Sequence, residues 1–558
     1  MSSSLDATQN LRRFEGAASS SDDLVQRLEQ LNLIGASLSA ERDINRLLET
    51  ILAAAKTITR SDGGTLYRIT EEGTLRFEIV RTTSLRNYLG GTTGTPVPFY
   101  PIQLHKDGKP NHGMVAAYAA LTGETVNIAD AYAAEGFDFS GTRAFDTKTG
   151  YRSKSFLTVP MRNHEHEIIG VLQLINAQDR RTGEIVPFSD SDQRLVESLA
   201  SQAAVALTNR ILINQLEHLF ESFINLINTA IDEKSPYTGG HCQRVPVLTM
   251  MLAEAAEAET EGMLQSFSMT EKDRYELKIA GMLHDCGKVT TPVHVVDKAT
   301  KLETIFDRVH LIDTRFEVLR RDAHIELLRE RATLAAEDAP REACERAEAR
   351  YRDRIRQLDE DRAFLRACNV GGEAMRELDV ERIKSIARYR WTDSAGHVAR
   401  FLTDDEVKNL IIRKGTLTAD EREVINHHIV ATIRMLEALP WPRHLKNVPE
   451  YAGGHHERMD GKGYPRGLTR EQMSVQARAM GIADIFEALT AKDRPYKRGK
   501  TLSDSLAILG KFRENGHVDP DLFDVFVRHK IYLRYAEMFL DREQIDAVDE
   551  SKIPGYRP

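Results

Sequence analysis

The sequence predicts a multidomain protein in which an α/β sandwich is followed by an all-α domain with a long helical insertion. The chain has 558 residues, which exceeds what one hydrophobic core usually organises and suggests about three or four domains. Strand-like segments lie between helical ones as far as about residue 207. Beyond that point the pattern is helical, and a charged stretch between Leu302 and Gly415 separates two helical parts.

The N-terminal segment changes character near residue 23. Residues 1–22 are polar and rich in serine, and we expect a disordered tail there. From Leu24 to Ile58 the apolar residues recur every three or four positions, as they do on one face of a helix. The sandwich domain is therefore expected to begin with helices, from about residue 23.

Two pairs of strand-like segments follow these helices. Residues 65–69 and 75–80 read TLYRI and LRFEIV, and a short turn ending in Gly73 separates them. Residues 155–161 and 168–177 read SFLTVPM and IIGVLQLINA. The order helix, hairpin, helix, hairpin, helix is that of an α/β sandwich.

This element order resembles a GAF domain, which implies a sensor domain over residues 23–207 with its N-terminal helix included. Part of the Asn-Lys, Phe, Asp-Glu signature of GAF domains is present, namely Asn176, Phe188 and Asp192. Ala177 and Gln193 stand where the family has Lys and Glu. The resemblance implies a structural role for the signature. It leaves open whether the domain binds a small molecule, such as a cyclic nucleotide, or serves only for dimerisation.

One long helix is predicted after the sandwich, from Ser191 to about Ile231. Neither glycine nor proline interrupts its apolar pattern. We interpret it as a signalling helix that links the sensor domain to the next domain and pairs with its copy in a homodimer as a short coiled coil. The alternative is a helix that packs on its own domain.

Bulk composition excludes several classes of function. The net charge of −9 argues against DNA or RNA as a partner, because neutralising phosphates needs a basic surface. No apolar run reaches the roughly 18 residues of a membrane span, and the first residues lack the regions of a signal peptide. The four cysteines form no CxxC pair, which fits a reducing compartment. We therefore expect a cytoplasmic protein without a membrane segment.

Two short sequence motifs contain most of the residues that indicate a chemical function. Residues 284–288 read HDCGK, and residues 455–465 read HHERMDGKGYP. Imidazole with carboxylate is the ligand set of divalent iron, manganese or zinc. Lys288, close to these ligands in the chain, suits a phosphate oxygen. Together the motifs indicate metal-assisted hydrolysis of a phosphoester.

The two motifs resemble those of the HD-GYP phosphodiesterases of bacterial cyclic-dinucleotide signalling, and the resemblance spans roughly Phe220 to Phe526. The matching motifs are HD at 284–285, HHE at 455–457, DG at 460–461, GYP at 463–465 and DRPYK at 493–497. It implies an α/β GAF sandwich followed by an all-α HD-GYP domain.

The resemblance also implies a role for each site residue. The implied metal ligands are His241, His284, Asp285, His428, His455, His456 and Asp484. Asp285 would bridge two metals, and Lys288, Arg494 and Lys497 would hold phosphate oxygens. The residues expected to support the ligands are Glu457, Asp460 and Tyr464. His427 would point away, because consecutive helical residues differ by about 100°.

Two divalent ions per chain are expected, with iron or manganese favoured. Some members of the family hold three metals with the help of a Glu four residues before the first metal His. Here that position is Tyr237, and a neutral phenol is a poor ligand. The nearest carboxylates, Asp232 and Glu233, lie too far from His241 in the chain, with Pro236 and two glycines between.

The catalytic domain is expected in two parts, residues 220–302 and 414–540, with an insertion at 303–413 and a C-terminal tail at 541–558. The insertion departs from the family pattern. Its acidic and basic residues recur at helical spacing, which is typical of solvated helices. We expect an antiparallel helical hairpin, with breaks at Pro340 or at 369–372.

The combined reading is a cytosolic phosphodiesterase that converts cyclic di-GMP to a linear 5′-phosphorylated dinucleotide under the control of a GAF domain. The motifs do not fix the base, so cyclic GMP-AMP is a second candidate substrate. A third possibility, from another class, is a catalytically silent module that binds nucleotides or docks a partner.

Overall fold

The computed structural model describes residues 20–234, 240–372, 374–491 and 499–557. Two units are distinguished, Met1–Leu219 and Phe220–Pro558. Most of the tail expected at 1–22 lies outside the described residues, which begin in a helix at Ser20.

The first unit is built on one antiparallel sheet with the order β3-β2-β1-β9-β8-β7, and two short strands, β4 and β10, pair with β2 and β9. A separate hairpin joins β5 and β6. The strands are β1 (Ser61–Ile69), β2 (Thr74–Thr82), β3 (Asn87–Gly90), β4 (Ile102–Gln103), β5 (His105–Lys106), β6 (Lys109–Pro110), β7 (Val126–Ile128), β8 (Phe156–Arg162), β9 (Ile168–Gln178) and β10 (Ile185–Val186). The helices are α1 (Ser20–Ala40), α2 (Ile44–Thr59), α3 (Val115–Thr122), α4 (Ser140–Thr149) and α5 (Asp190–Lys234).

The sheet is covered by the apolar face of α2. Asp43 caps this helix by accepting from the backbone N–H of Arg46 at 2.9 Å. Ile51 and Ala55, four positions apart, are buried in one cluster with Leu172 of β9 and further apolar residues of the sheet. Both predicted hairpins are present, as β1 with β2 and β8 with β9. The predicted α/β sandwich is confirmed.

The residues of the partial GAF signature have structural partners. Asn176 has a φ of 60°, and its side chain accepts from the backbone N–H of Lys154 at 2.7 Å and donates to Arg152 O at 2.8 Å. Asp192 accepts from the backbone N–H of Ser189 at 2.9 Å, at the start of α5. The contacts of Asn176 hold the segment before β8 against β9, and that of Asp192 fixes the start of α5. Both are structural roles, as the resemblance implies.

Helix α5 is 45 residues long and continues into the second unit. Part of its surface is apolar and exposed to solvent. The exposed fractions of these side chains are 52% for Leu212, 66% for Leu216, 52% for Leu219, 57% for Phe223 and 63% for Leu226. They follow one another at alternating steps of four and three residues, which is the spacing of a coiled-coil seam.

Within its described residues, the second unit is helical except for one small hairpin, β11 (Arg390–Thr392) with β12 (Val398–Arg400). After α5, its helices are α6 (His241–Glu257), α7 (Glu271–Leu283), α8 (Val293–Val296), α9 (Val309–Ala336), α10 (Arg341–Asn369), α11 (Glu377–Ala387), α12 (Asp404–Leu410), α13 (Ala419–Glu437), α14 (Val448–Gly453), α15 (Val475–Thr490), α16 (Leu502–Glu514), α17 (Pro520–Arg528) and α18 (Ile531–Phe539). The 3₁₀ segment Cys286–Thr290 follows α7 and is called the HD turn below.

The expected helical hairpin of the insertion is α9 and α10, and Pro340 precedes α10. Ion pairs run between the two helices, among them Asp313 with Arg362 at 2.9 Å. The insertion has a hydrophobic cluster of its own, which includes Phe316 and Leu358. It therefore does not share the main core of the second unit.

Two buried lysines tie the insertion to the helical domain. Lys298 Nζ donates to Asn409 Oδ1 and to Glu421 at the start of α13, both at 2.8 Å. Lys301 Nζ donates to the carbonyls of Leu410 and Ile412 at 3.1 and 2.7 Å. Each ammonium group has the partners that a buried charge requires.

A glycine allows the HD turn to lie directly against α13. A Cβ on Gly287 would come within 2.0 Å of His428 O and 2.5 Å of Thr432 N, which no side chain can occupy. The backbone N–H of Gly287 donates to Thr432 Oγ1 at 2.9 Å. The turn that follows Asp285 and contains Lys288 is thereby held next to the helix that carries His428.

The segment expected as a C-terminal tail packs on the main core as far as it is described. Ile553 is buried, and Ile545, Val548 and Tyr556 contact the same cluster. Gln544 Nε2 donates to Thr490 O at 2.8 Å. Among the described residues, no helix is both long enough and apolar enough to cross a membrane.

The exposed seam of α5 predicts a homodimer. Leu219→Glu should shift the protein from dimer to monomer, because two carboxylates would face each other in the seam. Asn225→Glu adds the same charge on another side of the helix and should leave the dimer intact. Sedimentation velocity at micromolar concentration measures both, and a monomeric wild-type protein would contradict the prediction.

Candidate metal centre

Three histidines of the predicted set are oriented by the same backbone contact. In each, the ring Nδ1–H donates to the carbonyl oxygen three residues earlier. The pairs are His284 with Gly281 at 2.7 Å, His428 with Ile425 at 2.5 Å and His455 with Ala452 at 2.6 Å. A carbonyl can only accept, so the proton lies on Nδ1 and the lone pair on Nε2. Each ring therefore presents Nε2 as a metal ligand.

His241 is oriented by a carboxylate instead. Its Nδ1–H donates to Glu487 Oε2 at 2.5 Å, and Glu487 also accepts from Arg244 Nε at 2.8 Å. The sequence analysis did not include Glu487 or Arg244. Each lies three residues after a predicted ligand, His241 or Asp484, and so on the same face of a helix as that ligand.

The first group of candidate ligands converges around His241. His241 Nε2 lies 3.2 Å from His284 Nε2, 3.2 Å from Asp285 Oδ2 and 3.2 Å from Asp484 Oδ1. His284 Nε2 lies 3.4 Å from the same oxygen of Asp285. Two imidazoles and two carboxylates therefore point at one place, between α6, α7 and α15.

The second group consists of His428, His455 and His456, whose ligand atoms lie within 4.8 Å of one another. His456 Nε2 is 3.2 Å from His428 Nε2. The other oxygen of Asp285, Oδ1, is 3.3 Å from His428 Nε2. Asp285 therefore turns one oxygen to each group, as expected of a bridging ligand.

The donor set fits divalent cations. His455 Nε2 is buried and has no hydrogen-bond partner among the described residues, although burial of a polar atom without a partner is costly. The imidazole Nε2 atoms face one another at 3.2 Å in each group, and a cation between their lone pairs would remove the repulsion. Nitrogen with carboxylate oxygen is a set that iron, manganese and zinc accept.

Protonation equilibria reflect the same arrangement. Burial lowers the pKa of His455 well below its ordinary value and that of His456 to about 4, which keeps both rings neutral as ligands must be. Burial opposes the ionisation of Asp285, but Lys288 and His284 hold its pKa well below the usual range. Burial also disfavours a charged His241, yet hydrogen bonds to Asp285 and other carboxylates raise its pKa. The lowered pKa of Asp285 and the raised pKa of His241 mean that the first group of candidate ligands favours a positive charge beside its carboxylates.

Of the three expected phosphate contacts, the structure describes Lys288. Its ammonium group pairs with Asp285 Oδ2 across the HD turn. Asp285 and other ions also raise the pKa of Lys288 despite its burial, so the side chain stays charged. It lines a cavity of about 260 Å³ together with His241, Asp285 and Arg244. Arg494, Lys497 and also Tyr237 lie outside the described residues.

The supporting residues act differently from one another. Tyr464 stacks on the ring of His456, with centroids 4.9 Å apart and planes inclined by 17°. Glu457 was expected to orient imidazoles, but its carboxylate accepts from the backbone N–H groups of Arg466 at 2.7 Å and Leu468 at 3.0 Å. It therefore holds the loop that carries Tyr464.

Asp460 was also expected to orient an imidazole, and the structure gives it a different role. Its carboxylate accepts from Arg458 Nε at 3.0 Å and from the backbone N–H of Lys462 at 3.1 Å, so it shapes the loop and not an imidazole. His427 is exposed, as expected of the neighbour of a helical ligand. A second cavity, of about 450 Å³, lies beside the metal groups and shares His456, Tyr464 and Asp484 with the first.

Family models match both units. A model described as a GAF domain matches residues 43–207. Two models described as HD domains match residues 238–362 and 403–522. The candidate ligands His241, His284 and Asp285 lie in the first HD match, and the other four lie in the second.

Relatives with curated names match shorter stretches. The cyclic di-GMP phosphodiesterase PA4108 of Pseudomonas aeruginosa is 34% identical over 131 residues, which is 24% of this chain and 30% of that protein. The 3′3′-cGAMP-specific phosphodiesterase 1 of Vibrio cholerae is 44% identical over 82 residues, 15% of this chain and 19% of that protein. The chain spans about a third or less of the length of these relatives.

Among solved structures, the GAF domain of an Acinetobacter phosphoenolpyruvate-protein phosphotransferase is 16% identical, with a TM-score of 0.25 over 34% of this chain and 98% of that chain. The two units are assigned on the family matches. The chain combines a GAF domain with an HD domain that carries the GYP motif.

Proposed function

We propose that the second unit is a metal-dependent phosphodiesterase that opens a cyclic dinucleotide to a linear 5′-phosphorylated product. The observation that carries this proposal is the position of Asp285, with Oδ2 next to His241 and Oδ1 next to His428. Such a carboxylate suits a pair of divalent ions, and we propose iron or manganese, which this donor set accepts. When bound, two such ions would polarise a phosphate oxygen and lower the pKa of water.

The side chains of this unit would prepare the site for that chemistry. The Nδ1 contacts of the imidazoles and the Glu487 contact of His241 fix the ligands before metal arrives, which lowers the cost of ordering them. Lys288 pairs with Asp285 across the start of the HD turn. Ions that take up the charge of Asp285 would release the ammonium group to hold a non-bridging phosphate oxygen.

The larger cavity suits the rest of a dinucleotide. It holds about 450 Å³ and is lined by Arg458, Lys462 and Lys500, together with apolar side chains of α15 such as Ile485 and Leu489. Basic groups suit a second phosphate, and an apolar wall suits a base. Cyclic di-GMP is the first candidate, and cyclic GMP-AMP is the second because relatives named for each were found.

The GAF domain would regulate this activity, with or without a small-molecule ligand. Regulation would act in a homodimer paired along α5. We further propose that the protein works in the cytoplasm, where cyclic dinucleotides act as signals.

The direct test is hydrolysis by the purified full chain. Loaded with Fe²⁺ or Mn²⁺, it should convert cyclic di-GMP to a linear dinucleotide, and a chelator should abolish the reaction until metal is restored. Cyclic GMP-AMP and a plain 3′,5′-cyclic mononucleotide complete the panel. Chromatography of the products decides between the substrates. No turnover of any member by metal-loaded protein would favour the catalytically silent alternative.

Asp285→Asn should lower metal content from two ions per chain and abolish hydrolysis, because a neutral amide cannot balance the charge of two cations. Asp361→Asn is the matched control. Asp361 is equally buried but bonds Arg382 and Tyr389 in the insertion, so its variant should keep its metal. Elemental analysis of both proteins is the measurement. Wild-type metal content in the Asp285 variant would remove this residue from the site.

Lys288→Met should reduce kcat while metal content stays at the wild-type level. A charge-assisted hydrogen bond of ~2 kcal/mol corresponds to a loss of about 30-fold. Lys408→Met, which removes a solvent-exposed lysine paired with Asp420, should leave kcat unchanged. Equal rates for the Lys288 variant and the wild type would show that the ammonium group does not act on the substrate.

A further inference from the structure

We infer that Lys234, the last residue of α5, is a positioning residue of the metal site. Its ammonium group holds the HD turn by binding backbone carbonyl groups of that turn. Lys234 Nζ donates to Lys288 O at 3.4 Å and also to Val289 O. Both carbonyls belong to the HD turn, Cys286–Thr290. Lys234 belongs to none of the motifs that indicate metal or phosphate binding.

The two carbonyl groups are a favourable place for an ammonium group. They lie at the C-terminal end of a short helical turn, where carbonyl oxygens lack partners within the turn and the local dipole is negative. Lys288 O also accepts from the backbone N–H of Thr291 at 3.1 Å, and each carbonyl oxygen can accept two hydrogen bonds. A lysine that joins both carbonyls therefore fixes the end of the turn.

The HD turn is held on two sides as a result. On one side Gly287 N–H donates to Thr432 Oγ1 of α13 at 2.9 Å. On the other side Lys234 reaches from α5. Asp285 directly precedes the turn and Lys288 lies within it. A shift of the turn would therefore move the oxygens of Asp285 away from both groups of imidazoles.

The contact differs from an ordinary surface ion pair, because the acceptors are backbone atoms of the site itself. Lys278 offers the comparison. Its Nζ contacts Glu221 Oε2 of α5 at 3.0 Å and so ties α5 to α7 without touching the HD turn. If α5 mattered only as a packing element, loss of either lysine would have similar effects.

The experiment compares Lys234→Met, Lys234→Arg and Lys278→Met in the full chain. Mn²⁺ affinity is measured by competition with a chromophoric chelator, and hydrogen exchange is followed at residues 287–290. Lys234→Met should weaken Mn²⁺ binding on the order of 10-fold, as loss of a group that orients a ligand does elsewhere. Exchange in the HD turn should become faster. Lys234→Arg should restore both, and Lys278→Met should resemble the wild type.

Three results would overturn the inference. One is wild-type Mn²⁺ affinity in Lys234→Met. Another is an equal loss in Lys278→Met, which would make the effect one of helix packing. The third is failure of Lys234→Arg to regain affinity, because Arg keeps the charge and the donors.

The inference rests on the proposed function only for its kinetic readout. If cyclic di-GMP is hydrolysed, kcat should fall in Lys234→Met while KM changes little, since the contact does not reach the substrate. If the wild-type protein hydrolyses no member of the panel, the proposed activity fails. The Mn²⁺ and exchange measurements would still decide the role of Lys234.

Discussion

The site depends on one carboxylate that has to lie between two groups of imidazoles. Asp285 is almost fully buried and turns Oδ2 to His241 and His284, and Oδ1 to His428. A buried carboxylate needs nearby positive charge, since desolvation of an unpaired anion is expensive. Here Lys288 supplies one cation, and the imidazole nitrogens are placed to hold others.

The surrounding helices meet at the site because particular small residues and backbone groups allow it. Gly287 lets the HD turn approach α13 closely, and Gly463 lets the GYP loop pass over Glu457, whose Cα would lie 2.5 Å from a Cβ at that position. Backbone carbonyls set the orientation of His284, His428 and His455. The orientation of these three imidazoles therefore depends on where each helix runs, whereas His241 and His456 also depend on the side chains of Glu487 and Tyr464.

Much of this could be predicted from the sequence, for identifiable reasons. The strand pairs of the sandwich were visible because their apolar residues are bounded by turns, and the hairpin of the insertion because its charges recur at helical spacing. The seven candidate ligands came from a resemblance to ordered motifs, and the structure brings these side chains together in two groups that share Asp285.

The sequence did not reveal contacts between residues that lie far apart in the chain. Glu487 bonds His241 across 246 positions, and only its place one turn after Asp484 could have suggested it. Glu457 and Asp460 adjoin the metal motif in the chain, which favoured a role beside the imidazoles. Their carboxylates instead bond groups of their own loop, because the tight GYP turn brings backbone N–H groups closer to them. Where the chain turns sharply, residues next to a metal ligand in the sequence need not contact that ligand.

The separate cluster of the insertion has a consequence for how the chain unfolds. Phe316, Leu358 and Phe401 belong to the hydrophobic cluster of the insertion. Val245, Leu283 and Phe486 belong to the main cluster, which surrounds the candidate ligands. Clusters that share few side chains can lose their order at different temperatures, so we expect this unit to unfold in more than one step. Heat inactivation would then follow the unfolding of the main cluster, which surrounds the candidate ligands. A calorimetric trace would show a separate transition for the insertion.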